Sequence, residues 1–126
     1  MKKEVVKMRR GEESEQINLI QWCKYNEHIY PGLELIHHIA NGGKRNKLEA
    51  ARLKQAGVKS GVPDLSLPVP KGEYNGLYIE MKYNGNKPTP NQKVWIEKLN
   101  KQGYYATVCD GFEEAKDTII KYMSII

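Results

Sequence analysis

The six-residue segment Leu77–Lys82 constrains the fold of this chain more than any other feature. Its apolar residues Leu77, Ile79 and Met81 alternate with residues that include Glu80 and Lys82. A side-chain period of two predicts a strand that rests one face on a hydrophobic core. Glu80 and Lys82 then project together from the other face. The chain must therefore build layers around a sheet.

The segments around this strand alternate between helical and extended patterns, with Gly and Pro between them. The predicted order is α-β-α-β-β-α-β-α, with helices at about 12–26, 46–56, 89–102 and 112–123 and strands at about 33–40, 65–69, 77–82 and 104–109. This order predicts an α/β fold with a central mixed sheet of about four strands flanked by helices. The second and third strands should pair as a hairpin.

The length and composition indicate one domain covering 1–126. A chain of 126 residues with 40% hydrophobic content is typical of a single globular unit. Its apolar runs are short and no signal-peptide pattern opens the chain, so we expect a cytoplasmic protein without a membrane segment. Cys23 and Cys109 lack the spacing of a zinc site or a disulfide framework, so we expect two packed, reduced thiols.

Basic residues are concentrated in two segments of a chain whose net charge is +5. Residues 1–10, a basic N-terminal arm, contain five basic residues and one acid; residues 44–59 contain six and one. Such segments can face the phosphates of a nucleic acid, although a solvated charged surface explains each of them equally well. The candidate nucleic-acid contacts are Lys44, Arg45, Lys47, Lys54 and Lys59.

The candidate for chemistry is a set of two acids and a lysine. Asp64 precedes Glu80 by sixteen positions, and it lies across from Glu80 if their strands pair antiparallel. Two convergent carboxylates bind a hard cation such as Mg²⁺, with the Met81 carbonyl as a third ligand and water completing the shell. Lys82 would then orient the attacking water or neutralise charge in the hydrolysis of a phosphodiester. The alternative is an ordinary Glu/Lys pair on a sheet surface.

Two further polar residues are candidates for the same site. Glu15 falls on the apolar stripe of the first helix, so it should be buried, either in the site or as a first-turn acid favoured by the helix dipole. Gln92 follows Thr89 by three positions, which is typical of a capping box, and it also lies on the inner face of its helix. Both interpretations stay open for each residue.

The histidines and tryptophans are not assigned to the site. His28, His37 and His38 lack metal-ligand spacing, so packed or exposed roles are expected for them. Trp22 and Trp95 lie on apolar helix faces, which favours a place in the core over stacking on nucleic-acid bases.

Taken in order, these motifs resemble those of the VRR-NUC (virus-type replication-repair nuclease) domains, a branch of the PD-(D/E)xK nuclease superfamily. The resemblance spans nearly the whole chain and rests on Glu15-Gln16, Asn41-Gly42-Gly43-Lys44-Arg45, Leu53-Lys54 with Gly57, Gly61-Val62-Pro63-Asp64-Leu65, Glu80-Met81-Lys82, Gln92 and Gly103-Tyr104. It implies a restriction-endonuclease-like fold and a Mg²⁺- or Mn²⁺-dependent, structure-selective DNA endonuclease. Catalytic positions then fall on Asp64, Glu80, Lys82, Gln92 and Glu15, and metal ligands on Asp64, Glu80, Met81 and Glu15.

The resemblance also implies a substrate and an assembly. Small members of this kind are similar to Holliday-junction resolvases of bacteria and phages, which act in DNA repair as homodimers, so we expect branched DNA, a second copy of the chain and no small-molecule cofactor. A nuclease for flaps, nicks or linear duplex is the alternative within the same reaction class. A DNA-binding module without catalysis is the alternative outside it.

Overall fold

The computed structural model describes residues 11–40 and 46–126. The basic N-terminal arm and the predicted contacts Lys44 and Arg45 lie outside these ranges. In chain order the elements are α1 (Glu12–Asn26), a 3-10 helix (Leu33–Leu35), β1 (His37–His38), α2 (Lys47–Gln55), β2 (Leu65–Leu67), β3 (Leu77–Lys82), α3 (Pro90–Lys101), β4 (Tyr105–Asp110) and α4 (Gly111–Met123).

The four strands form one mixed sheet in the order β1-β2-β3-β4. β1 pairs antiparallel with β2, and β2 pairs antiparallel with β3, which confirms the predicted hairpin. β3 and β4 are parallel, and α3 makes the crossover between them that a parallel pair requires. The predicted α/β fold with a four-stranded mixed sheet is therefore confirmed.

One face of the sheet carries the hydrophobic core. Leu77, Ile79 and Met81 of β3 are each 1% exposed, as their alternation predicts, and they join the same buried cluster as Leu19 of α1 and Ile119 of α4. Full burial of such a side chain stabilises the fold by about 1.5–3 kcal/mol relative to exposure. This core fixes β3 and leaves Glu80 and Lys82 on the opposite face.

The predicted strand at 33–40 is wrong over its first part. Gly32 adopts a φ of +99°, and the backbone then forms a 3-10 turn in which Leu35 N–H donates to the Gly32 carbonyl and Ile36 N–H to the Leu33 carbonyl. Leu33 is fully buried while Leu35 is 49% exposed, so the turn inserts a single side chain into the core. Only His37–His38 remain as β1.

No helix in the described parts of the chain combines the length and apolar character that crossing a bilayer requires.

Candidate active site

The β2–β3 hairpin places Asp64 beside β3. Leu65 pairs with Ile79, so Asp64 and Glu80 occupy the next positions along the two strands. Oδ2 of Asp64 accepts a hydrogen bond of 2.8 Å from the backbone N–H of Met81. A carboxylate oxygen thus binds a strand N–H just beyond the last pair of the ladder. This bond fixes one oxygen of Asp64 and leaves Oδ1 for other contacts.

The main chain of Asp64 is held from β1. Its carbonyl oxygen accepts from the N–H of Ile39 at 2.7 Å and lies 2.8 Å from Nδ1 of His38. Because a carbonyl oxygen only accepts, this contact is a hydrogen bond in the tautomer that carries the proton on Nδ1. Donors from two neighbouring strands therefore position Asp64, which limits the movement of its carboxylate.

His38 was not assigned to the site by the sequence, yet it contacts Asp64 directly. Nε2 of Gln16 on α1 lies 3.2 Å from the same ring nitrogen, so the histidine connects α1 to the residue that precedes β2. No spacing rule identifies this contact, because it depends on which strand pairs with residues 65–67.

Glu80 and Lys82 form a buried ion pair. Glu80 is 2% exposed and Lys82 is 7% exposed, and Nζ of Lys82 lies 3.3 Å from Oε2 of Glu80. The second carboxylate oxygen, Oε1, is buried and has no hydrogen-bond partner. A buried polar atom without a hydrogen-bond partner lowers the stability of a fold by about 1–3 kcal/mol. Oε1 of Glu80 therefore favours a donor or a cation beside it.

The surroundings of Glu80 disfavour its charge. The pKa of Glu80 is raised to about 8, first by burial, then by a hydrogen bond that it shares with the Asp64 carboxyl group when one of the two is protonated, and by charge repulsion from Asp64. Lys82 lowers the pKa but does not offset these effects. The carboxylate pair therefore needs either a proton or additional positive charge.

The residues present fit a divalent cation. Asp64 and Glu80 supply carboxylate oxygens, the donor type that Mg²⁺ prefers, and Oε1 of Glu80 lacks a partner. Within residues 11–40 and 46–126, no group of three or more His, Cys, Asp or Glu side chains is arranged to hold a metal ion. Two carboxylates remain a sufficient set, because Mg²⁺ usually keeps several waters. The carbonyl of Met81 stays a predicted ligand.

Glu15 is buried as predicted, at 4% exposure, and one of its contacts lies at α4. Its Oε1 accepts from the N–H of Phe112 at 3.2 Å, in the first turn of α4. The positive end of the α4 dipole favours a carboxylate at this position. Glu15 does not join Asp64 and Glu80 in a three-carboxylate group, so its role as a ligand stays a prediction.

Gln92 forms the predicted capping box. Its Oε1 accepts from the N–H of Thr89 at 2.9 Å, and its own N–H donates to Oγ1 of Thr89 at 3.2 Å. The side chain is half-buried at the start of α3. Capping accounts for the glutamine oxygen, and a role in the site stays a prediction.

Three of the predicted nucleic-acid contacts lie on the surface. Lys47, Lys54 and Lys59 are exposed on or just after α2, a helix with no buried residue, so they are available for contacts in solution.

The two tryptophans lie in different surroundings. Trp22 packs against the hydrophobic core, as predicted. Trp95 is only half-buried and lines two surface cavities, so its predicted place in the core is wrong.

Comparisons with known proteins agree with this geometry. The family match given next implies a nuclease of the PD-(D/E)xK type, and the mixed sheet brings an Asp beside a Glu-x-Lys strand. Residues 10–113 match the family model of the VRR-NUC domain. A solved structure described as a VRR-NUC domain protein is 35% identical in sequence, covering 92% of this chain and 90% of that chain with a TM-score of 0.79. No curated protein sequence matches the chain.

The chain belongs to the VRR-NUC domain family. Both the sequence match to the family and the similarity to a solved member support the fold. A nuclease domain implies DNA binding.

Proposed function

We propose that this chain is a Mg²⁺- or Mn²⁺-dependent endodeoxyribonuclease that cuts branched DNA, with the four-way junction as its substrate and a homodimer as its active form. The observation that carries the metal dependence is Oε1 of Glu80, which is buried beside a second carboxylate and has no partner. A bound divalent ion would supply positive charge to the scissile phosphate and lower the pKa of a water molecule.

The residues of the chain then have distinct tasks. Asp64 and Glu80 hold the ion, and the Met81 N–H together with β1 keeps Asp64 in place. Nζ of Lys82 lies 3.3 Å from Oε2 of Glu80, so this ion pair restricts the lysine side chain and keeps its charge near the carboxylates. An ammonium group fixed in a dry site stabilises the charge that grows on the phosphoryl oxygens, or orients the attacking water. Hydrolysis breaks one P–O bond and leaves a phosphate monoester and a hydroxyl.

Selectivity for branched DNA would come from shape. The described basic residues Lys47, Lys54 and Lys59 are exposed and lie on or near one helix, where they can contact phosphates. Phosphate contacts carry no base sequence, so they select the arrangement of the backbone. A twofold dimer would present two sites to the two symmetric strands of a four-way junction.

The experiment is cleavage of end-labelled four-way junction, flap, nicked duplex and intact duplex with Mg²⁺, with Mn²⁺ and with EDTA. The variants are Asp64→Asn, Glu80→Gln and Lys82→Ala. The matched control is the exposed Glu97–Lys101 pair, which has the same 3.3 Å separation, tested as Glu97→Gln and Lys101→Ala. We expect rates at least about 100-fold lower for the site variants, the size seen when one charge-stabilising group is removed, and near wild-type rates for the controls.

The substrate and the assembly are tested by the same preparation. Junction cleavage faster than flap or nick cleavage supports a resolvase, and the reverse order supports the flap or nick alternative. Binding without any product would indicate the DNA-binding module. A solution mass of twice the 14.5 kDa chain supports the dimer. A complex whose mass corresponds to one protein chain bound to one junction contradicts it.

A further inference from the structure

Two adjoining cavities lie along α3, on the surface between this helix and the segment that leads into β2. The first is about 390 Å³ and is lined by Lys59, Val94, Trp95, Lys98, Leu99 and Gln102. The second is about 500 Å³, shares Lys59 and Trp95 with the first, and includes Ile39, Val58 and Val62. We call the two together the Trp95 groove.

The groove adjoins the candidate active site. Ile39, in its wall, donates its N–H to the carbonyl of Asp64 at 2.7 Å. Val62, also in the wall, lies two residues before Asp64. A DNA strand with a phosphate at Asp64 therefore passes beside the Trp95 groove.

The groove has an exposed aromatic surface because α3 is incompletely covered. No residue of α3 is buried, Trp95 is half-buried, and Val94 is 47% exposed. An apolar helix face that the fold leaves open can accept a flat apolar group from a ligand. The combined space is within the range of small-ligand sites, roughly 300–1,000 Å³.

The charge of the groove selects an anion. Lys59 and Lys98 are exposed on its walls, and none of the described residues that line either cavity is acidic. A flat apolar surface between cations matches a nucleotide, whose base stacks on aromatic rings and whose phosphate pairs with lysine. Bases stacked inside a duplex have no free face, so the matching ligand is unpaired.

We propose that the Trp95 groove binds an unpaired nucleotide of the DNA substrate, with the base on the Trp95 ring and its phosphates on Lys59 and Lys98. This inference rests on the proposed function and deepens it. A nuclease that holds an unpaired nucleotide beside its carboxylates prefers DNA with open bases, as found at branch points, over continuous duplex.

The test is direct binding in EDTA, where cleavage is absent. Fluorescein-labelled single strand and blunt duplex of equal length are titrated with wild type, Trp95→Ala, Trp95→Phe and Lys98→Ala. Lys101→Ala, on the same helix and outside the groove, is the charge control. We expect Trp95→Ala to weaken single-strand binding about 5- to 100-fold, the range for loss of one base–aromatic stack, and Trp95→Phe to restore most of it. Duplex affinity should change less than about threefold.

A fluorescence readout removes dependence on the stability of the Trp95→Ala variant. The chain has two tryptophans, so Trp22→Phe leaves Trp95 as the single indole and Trp95→Phe leaves Trp22. Single-stranded DNA should quench the emission of the Trp22→Phe protein and leave that of the Trp95→Phe protein unchanged. Equal quenching in both, or an equal loss of single-strand and duplex affinity in Trp95→Ala, overturns the inference.

The two failures can be separated. Trp95 quenching by single strand in a protein that cuts no DNA refutes the proposed function and leaves the groove as a binding site. If the protein cuts DNA with metal but single-stranded DNA does not change the fluorescence of Trp95, the inference about the groove is refuted and the proposed function is retained.

Discussion

Replacing Glu80 with glutamine should make the metal-free protein more stable, although Glu80 is assigned to the active site. The pKa of Glu80 is raised from 4.5 to about 8, first by burial and then by Asp64. The folded state therefore binds a proton that the unfolded state has released between these two pH values. The free energy of unfolding consequently falls as the pH rises from about 4.5 to about 8, and is constant above that.

The size of the effect follows from the pKa values. Each pKa unit corresponds to about 1.36 kcal/mol, so at pH 7 the proton that Glu80 must take up on folding lowers the free energy of unfolding by up to about 3 kcal/mol. At pH 5 the same calculation gives less than about 1 kcal/mol. Glutamine keeps the shape of the side chain and cannot ionise, so Glu80→Gln removes this dependence. Loss of the ion pair with Lys82 acts in the opposite direction and reduces the gain.

The assay is urea denaturation of wild type and Glu80→Gln in EDTA at pH 5, 7 and 8.5, with Glu97→Gln as the exposed-glutamate control. The stability advantage of Glu80→Gln should grow with pH, while Glu97→Gln should follow wild type. Millimolar Mg²⁺ or Mn²⁺ should stabilise wild type and not Glu80→Gln, because the ion binds the folded carboxylate pair. A Glu80→Gln protein that is less stable than wild type at pH 8.5 in EDTA refutes the reasoning.

Three other substitutions or treatments give separate tests. His38→Asn keeps a donor near the Nδ1 position and should retain most of the Mn²⁺ affinity measured by calorimetry. His38→Gln and His38→Ala should lose that affinity. Equal affinities in all three variants would show that His38 does not position Asp64. Burial raises the pKa of Cys23 to about 12 and that of Cys109 to about 11, so both thiols are protonated at pH 8 and a thiol reagent should label them only after urea unfolds the chain; rapid labelling of the native protein would contradict their burial. Gln92→Ala should lower the free energy of unfolding by about 1 kcal/mol through loss of the capping box, while Gln92→Glu should keep it; if Gln92→Glu also keeps full cleavage, the amide of Gln92 has no part in the site.

The parts of the fold that follow local periodicity could be predicted from the sequence. The alternation in Leu77–Lys82 gave β3 with its observed bounds and put Glu80 and Lys82 on one face. The Thr89–Gln92 capping box and the helix Glu12–Asn26 were likewise predicted from local signals. These features depend on neighbouring residues, so the sequence around them suffices.

The parts that depend on distant residues could not be predicted in the same way. Burial of Glu15 followed from its helix stripe, but its partner Phe112 is 97 positions away. The contact between His38 and Asp64 depends on strand pairing across 26 positions. The exposure of Trp95 reflects the incomplete covering of α3, which an apolar helix face alone does not reveal.

The short strand β1 illustrates a conflict between local pattern and packing. The apolar residues at 33–40 favoured a longer strand, whereas the positive φ of Gly32 starts a 3-10 turn that buries Leu33. β1 then carries few residues, but His38 of β1 and Ile39, which follows it, both contact the carbonyl of Asp64. Its length is therefore a poor measure of its importance to the site.

Calorimetric titration of Mn²⁺ into the DNA-free protein addresses the carboxylate pair most directly. Wild type and Glu97→Gln should bind the ion with the same affinity, and Asp64→Asn and Glu80→Gln should show no saturable heat in the same concentration range. Unchanged binding in the Asp64→Asn and Glu80→Gln proteins, or no binding in wild type, would contradict a metal centre built on these two residues.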